Sequence, residues 1–250
     1  MKFAKYSASG NDFALVLASE MENFGGADRA KLAARFCDRR EGIGADGFIV
    51  INPLVNSDCD FAWDFYNADG SVAAMCGNGA RAAAHFANLR GAAGEKTRFL
   101  TGAGEIAAQI NDDFVSVQLT GYEFQGEFAE MGYKWQLINT GVPHLVTKAN
   151  LAVFDDLPLA DLRRKYNANV NVYDFADGGV KTRTFERGVE NETLACGTGM
   201  AACFLAARAL GLIGDKASVF PKSGEELSLE LREGKIFLGG KVRKVFEGVI

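Results

Sequence analysis

Two cysteines stand in nearly the same surroundings. CGNGARAAAHFANLRG, from Cys76, and CGTGMAACFLAARALG, from Cys196, align without gaps at an offset of 120 residues. Cys76/Cys196, Gly77/Gly197, Gly79/Gly199, Ala82/Ala202, Ala87/Ala207 and Gly91/Gly211 are identical. Each copy reads as a tight Cys-Gly-x-Gly turn opening an Ala-rich helix, and the glycines let a ligand approach the backbone closely. The helix N-terminus turns free N–H groups toward that point, and its dipole favours an anion there. A thiol so placed has a depressed pKa and a usable thiolate; the same amides could instead hold a substrate carboxylate. One such turn alone is equally compatible with a buried, inert cysteine. Two copies on pseudo-symmetric domains would converge on one cleft from opposite sides. Opposed acid/base groups suit removal of a proton from one face of a carbon and its delivery to the other, whereas a single base tends to return the proton where it was. An amino-acid α-carbanion is far more basic than a thiolate. Helix N-termini aimed at the α-carboxylate in a water-excluded site would supply part of the stabilisation.

The other candidates read as packing. Cys37 falls on the apolar side of a helix, Cys203 lies within one, and Cys59 precedes a strand. No C-x-x-C pair exists, and the two histidines, His85 and His144, are far apart in sequence, so no metal is expected. His85 sits in an Ala-rich helix; His144 follows Gly141-Val142-Pro143, where a turn could present it.

The elements that must position these groups are mostly strands. FALVLAS, GFIVINP, DFAWDFYNA, FVSVQLTG, WQLINTG, VKTRTFE, LSLELRE and KIFLGG are short, β-branched or aromatic runs, with Arg232–Lys235 a hairpin turn. Asp28 caps a helix through Leu32, Ala33 and Phe36, and Pro158 opens another through Leu162 to Tyr166. The expected fold is α+β, with two pseudo-symmetric domains, each a curved antiparallel sheet around a central helix. Residues 1–118 form the first domain and 119–240 the second, with the active site in the cleft between them. The 250 residues carry 27 Lys+Arg against 32 Asp+Glu, a net charge of -5 with no basic cluster, which argues against nucleic-acid and anionic-membrane surfaces. No apolar run reaches the roughly 20 residues of a membrane span, and the N-terminus has no apolar signal region. Five cysteines without a signal peptide read as reduced thiols in the cytoplasm.

These residues resemble the diaminopimelate epimerases. The resemblance is carried, in order, by Ser9-Gly10-Asn11-Asp12-Phe13, by Tyr66-Asn67-Ala68-Asp69-Gly70-Ser71 and by Met75 through Arg81. It continues through Gly141-Val142-Pro143-His144, Glu186-Arg187-Gly188-Val189 and Thr193 through Gly199. It runs from Lys2 to Phe246-Glu247-Gly248; proline racemases share the cysteine pair but lack the first two segments. It implies interconversion of LL- and meso-2,6-diaminopimelate, on the route to lysine and peptidoglycan precursors, without pyridoxal phosphate, other cofactor or metal. Cys76 and Cys196 would be the thiolate/thiol pair, with His144 and Glu186 orienting the site and assisting the thiols. Asn11, Asn67, Gly77, Asn78, Glu186, Arg187, Gly197 and Thr198 match substrate-binding positions, as does Asn169, with Asn171 the alternative. The resemblance also implies a homodimer and a last strand, 241–250, that returns to the first domain.

Three positions depart from common family forms. Val142 replaces an Asn whose amide contacts substrate, Gly47 stands where some members place a substrate-contacting Gln, and the 188–193 segment is one residue longer than the shortest versions. A related amino-acid racemase, a dithiol redox protein and a non-catalytic amino-acid binder are the rival readings. A substrate panel and turnover with thiol reductants or peroxide discriminate among them.

Overall fold

Continuous apolar runs such as Phe48-Ile49-Val50-Ile51 belong to strands covered on both faces, and the computed structural model places them so. It describes residues 1–24, 28–176 and 178–250. The chain divides into two compact units, Met1–Gln118 with Gly239–Ile250, and Leu119–Leu238.

The first unit runs β1 (Lys2–Ala8), β2 (Asn11–Leu17), α1 (Arg29–Cys37), β3 (Gly47–Pro53), β4 (Phe61–Asn67), α2 (Gly77–Leu89), β5 (Lys96–Thr101), β6 (Gly104–Asn111) and β7 (Phe114–Gln118). The second holds β8 (Glu123–Glu130), β9 (Tyr133–Asn139), β10 (Pro143–Lys148), α3 (Leu159–Tyr166), β11 (Asn169–Ala176), β12 (Gly179–Glu186), the short β13 (Asn191–Glu192), α4 (Gly197–Ala209), β14 (Lys216–Phe220) and β15 (Leu227–Arg232). β16 (Lys235–Lys241) leads back into the first unit, where β17 (Arg243–Val249) pairs antiparallel with β1. There the Met1 ammonium donates to the Ile250 carbonyl at 2.8 Å, and the Ile250 N–H returns a bond to Met1 at 3.0 Å.

The sheets are mixed rather than wholly antiparallel. In the first unit β1–β2, β3–β4 and β5–β6 are antiparallel, while β2–β3 and β4–β5 are parallel. The second repeats the succession: β9–β10, β11–β12 and β14–β15 antiparallel, β10–β11 and β12–β14 parallel. The reason is the helices: α1 and α3 each bridge the first parallel pair, α2 and α4 the second, and a crossover through a helix returns the chain in the same direction. The duplication seen around the cysteines therefore extends through each unit's topology.

Period-two alternation sorts the side chains into two layers. From β2 and β3, Phe13, Leu15, Ile49 and Ile51 pack around α2, while Ala14, Val16, Phe48 and Val50 meet Ala33, Phe36 and Cys37 of α1. In the second unit Val146, Tyr173, Val180 and Leu229 surround α4, while Leu145 and Val170 face Leu162 of α3. The central helices can be enclosed because they are built of small residues: Ala80, Ala82, Ala83, Ala84 and Ala87 in α2, and Ala201, Ala202, Ala206 and Ala207 in α4. Among the described residues, no helix is long and apolar enough to cross a membrane.

Candidate active site

In each unit a cysteine occupies the N-cap of the enclosed helix. Cys76 has extended backbone (φ −149°, ψ 121°), and its Sγ accepts the Gly79 N–H at 3.5 Å. An acceptor at the N-cap satisfies one of the helix's free donors, and here that acceptor is sulfur. Gly77 opens the helix and Asn78 follows it into the interior.

Asn78 and Asn11 are brought together. The Asn78 amide donates to Asn11 Oδ1 at 2.9 Å, and the Asn11 amide donates to Asp46 Oδ2 at 3.1 Å. Behind them lies Arg81, fully enclosed in α2. Its guanidinium donates to Asn78 Oδ1 at 2.7 Å, to Ser9 Oγ at 2.5 Å and to the Lys241 carbonyl at 3.2 Å. Arg39 bonds both Asp12 and Asp46, and Lys5 pairs with Asp12 at 2.8 Å. Burial opposes ionisation of Asp12, but Arg39 and Lys5 outweigh it and hold the carboxyl at about 2. This half-site is thus oriented from beneath by fixed charges. The sequence places Arg81 at the end of the Met75–Arg81 segment without giving it a role, and Asp46 does not stand out there. Asn67 is not part of the network. It is exposed and donates to Ser71 Oγ at 3.0 Å within its own turn. At Gly47 an added Cβ would meet Phe65 Cε2 at 2.5 Å, so Phe65 fills the space that a longer side chain would need.

In the second unit Cys196 is buried at the cap of α4, its Sγ 3.6 Å from Thr198 Oγ1. Burial, reinforced by the Glu186 carboxylate beside it, pushes this thiol up to about 12, against the Thr198 hydroxyl and the Gly199 amide. Cys196 is therefore held as a thiol, the reverse of the depressed pKa expected of a cysteine at a helix N-terminus. Thr140 Oγ1 donates to the Thr198 carbonyl at 3.0 Å and fixes the first turn, which begins at Gly197.

His144 is wholly buried at the start of β10, beside Asn169 and Asn171 of the parallel strand β11. The Asn171 amide lies 3.0 Å from Nδ1 and the Asn169 amide 3.4 Å from Nε2. Asn169 Oδ1 accepts the Arg187 N–H at 2.7 Å, and the Arg187 guanidinium turns to the Asn167 carbonyl at 2.9 Å. Asn171 Oδ1 accepts from Thr184 at 2.9 Å and reaches the turn below Cys196, where a Cβ on Gly199 would meet it at 2.6 Å. The structure thus gathers Cys196, Glu186, Thr198, His144, Asn169 and Arg187 in one unit, and Cys76, Gly77, Asn78 and Asn11 in the other.

Burial pushes the His144 pKa down to about 3, with Arg187 adding to the shift and the Asn171 bond opposing it. The folded ring therefore stays neutral where the unfolded one, near 6.5, takes a proton, so stability falls as pH drops from 6.5 toward 3. Between pH 6.5 and 5 the expected loss from this residue is about 2 kcal/mol. His85, also lowered by burial, acts with the same sign. Urea unfolding of wild type and His144→Gln isolates the His144 part: the variant's stability should fall less over that interval. Equal slopes would mean that the ring is protonated in the folded state.

Residues 3–124 match the family model described as diaminopimelate epimerase. A diaminopimelate epimerase from Campylobacter jejuni is 52% identical over 250 residues, 99% of this chain and 98% of that protein. One from a Nitratiruptor species is 52% identical over 252 residues, covering 99% and 97%. Among solved structures, a PhzF-family phenazine biosynthesis protein from Bacillus anthracis superposes with a TM-score of 0.72 at 15% identity, covering 100% of this chain and 99% of that one, which shows a shared fold. With half of its residues shared along its whole length, the chain belongs to the diaminopimelate epimerase family.

Proposed function

We propose that this protein interconverts LL- and meso-2,6-diaminopimelate by two-base proton transfer between Cys76 and Cys196, without a cofactor. The observation that carries the reading is the pair of cysteine-capped helices, one in each unit. Cys76 Sγ accepts an amide hydrogen, while Cys196 is a buried thiol beside Glu186. The free amides of each helix's first turn favour a carboxylate, and Asn11 and Asn78 add fixed polar groups.

In the forward direction a thiolate removes the α-proton from one face and the other cysteine, as the thiol, protonates the second face. The reverse reaction exchanges their roles. Glu186 and His144 orient the site and assist the thiols, while Asn169 and Arg187 serve substrate recognition, with Asn67 completing the set from the end of β4. The protein would act in the cytoplasm as a homodimer, supplying lysine and peptidoglycan precursors.

The test is incubation of each stereoisomer in deuterated buffer under reducing conditions. Deuterium should enter one α-carbon with inversion. No exchange from either stereoisomer sinks the proposal. Exchange with another amino acid alone would favour a related racemase, and turnover of peroxide with a thiol reductant would favour dithiol chemistry.

A further inference from the structure

The polar groups around His144 do more than bury it. Asn171 is completely enclosed, and its amide orientation is fixed by backbone. Its Nδ2 faces the carbonyls of Leu145 and Asn169, each at 3.3 Å, while Oδ1 accepts from Thr184. The NH2 group must therefore be the part that meets His144 Nδ1, at 3.0 Å. A hydrogen on Nδ1 would set two donors against each other at hydrogen-bond distance, so Nδ1 is the acceptor. A neutral imidazole then carries its proton on Nε2.

The other nitrogen meets a different geometry. Asn169 is oriented by its short bond from the Arg187 N–H, which leaves its NH2 toward the Pro143 carbonyl at 3.3 Å and Nε2 at 3.4 Å. Once Nε2 bears hydrogen, that 3.4 Å approach is between two donors. Two donors at this spacing suit one shared acceptor. Among the described residues no oxygen is hydrogen-bonded to Nε2. A buried N–H without an acceptor is costly, on the order of 1–3 kcal/mol, unless a ligand supplies one.

We propose that Asn171 is a positioning residue that fixes neutral His144 with its proton on Nε2, so that Nε2–H and the Asn169 amide form a two-donor seat for one carboxylate oxygen of the bound substrate. That the seat serves epimerisation rests on the function proposed above; the tautomer does not. A neutral donor suits the task, since it binds an oxyanion without releasing a proton to the carbanion.

The experiment is nitrogen NMR of protein labelled with 15N-histidine, which contains only His85 and His144. A His85→Gln sample assigns the signals. Wild type should show His144 neutral, with Nδ1 in the unprotonated range and Nε2 bearing hydrogen, and diaminopimelate should shift the Nε2 signal. In Asn171→Asp a carboxylate faces Nδ1 and should draw the hydrogen there. The Nε2 response to diaminopimelate should then vanish, with kcat falling at least about tenfold, the loss of roughly one hydrogen bond to a charged group. Asn171→Ala, which removes the donor without adding charge, should give a mixture of tautomers. A wild-type spectrum with hydrogen on Nδ1 overturns the proposal, even if neither variant folds. So does a folded Asn171→Asp protein that keeps Nε2–H, or a wild-type Nε2 signal indifferent to bound diaminopimelate. An inactive wild-type enzyme with the expected spectrum would instead remove the proposed function and leave the tautomer standing.

Discussion

Cys76→Ala and Cys196→Ala should each stop inversion of diaminopimelate, lowering epimerisation by at least about three orders of magnitude, within the range for loss of a positioned acid or base. The two variants should fail differently. With one thiol gone, the other can still remove a proton from its own face and return it. Residual deuterium exchange should therefore be confined to one stereoisomer in each variant, a different one in each, with configuration retained. Neither change should unfold the protein. Cys196 caps α4 without a side-chain capping bond, and the capping bond of Cys76 is a long 3.5 Å sulfur contact. Chiral chromatography and mass spectrometry of the recovered substrate measure both outcomes. Full activity in either variant refutes the two-thiol mechanism.

Gly199→Ala should also be damaging, although it adds a single methyl group. That methyl would lie 2.6 Å from Asn171 Oδ1, 2.9 Å from Thr184 Oγ1 and 3.3 Å from Cys196 Sγ. None of the three can yield cheaply: Asn171 is held by two carbonyls and a hydroxyl, and Cys196 is fixed by its helix. Overpacking of this kind costs about 1–3 kcal/mol, and a shift of the thiol by a fraction of an ångström lowers turnover by up to about a hundredfold. The repeat supplies the control. At Gly79 an added Cβ finds Ile49 and Phe13 at 3.4 Å and Cys76 Cβ at 3.6 Å, ordinary contacts. Gly79→Ala should therefore keep near-wild-type activity and gain up to about 1 kcal/mol from helix propensity. Unfolding curves and the epimerisation assay on both variants decide the matter. A Gly199→Ala enzyme indistinguishable from wild type would mean that Asn171 and Thr184 move freely.

This asymmetry marks how far the sequence could be read. The two turns look alike as text, since six positions in the cysteine windows are identical. The difference between them comes from what packs behind each glycine, apolar side chains in one unit and a buried amide in the other. Asn171 acquires its part only through the parallel pairing of β10 with β11, which sets it against a histidine 27 residues earlier. No local period carries such a contact. Asn169 and Asn171, interchangeable as substrate contacts by sequence, separate in the same way: the first faces His144 Nε2 and Arg187, the second is consumed by four protein groups. Strands with a clear apolar rhythm, such as β15 with Leu227 and Leu229 inward, are legible directly. β8 and β17 are exposed along most of their length, so no apolar rhythm announces them. Arg81 is hidden for the opposite reason: a residue type that normally seeks water is enclosed because Asn78, Ser9 and a carbonyl receive its donors.

The pairing of β17 with β1 has a consequence for how the chain is made. Residues 243–249 leave the ribosome after every residue of Leu119–Leu238. The second unit, continuous in sequence, can complete its sheet during synthesis, while β1 waits with one edge of backbone donors and acceptors open. Such an edge is a template for association with other chains, and contacts between distant residues are slow to form. Demand on chaperones should thus concentrate on the first unit, whose strands are made first and whose sheet closes last.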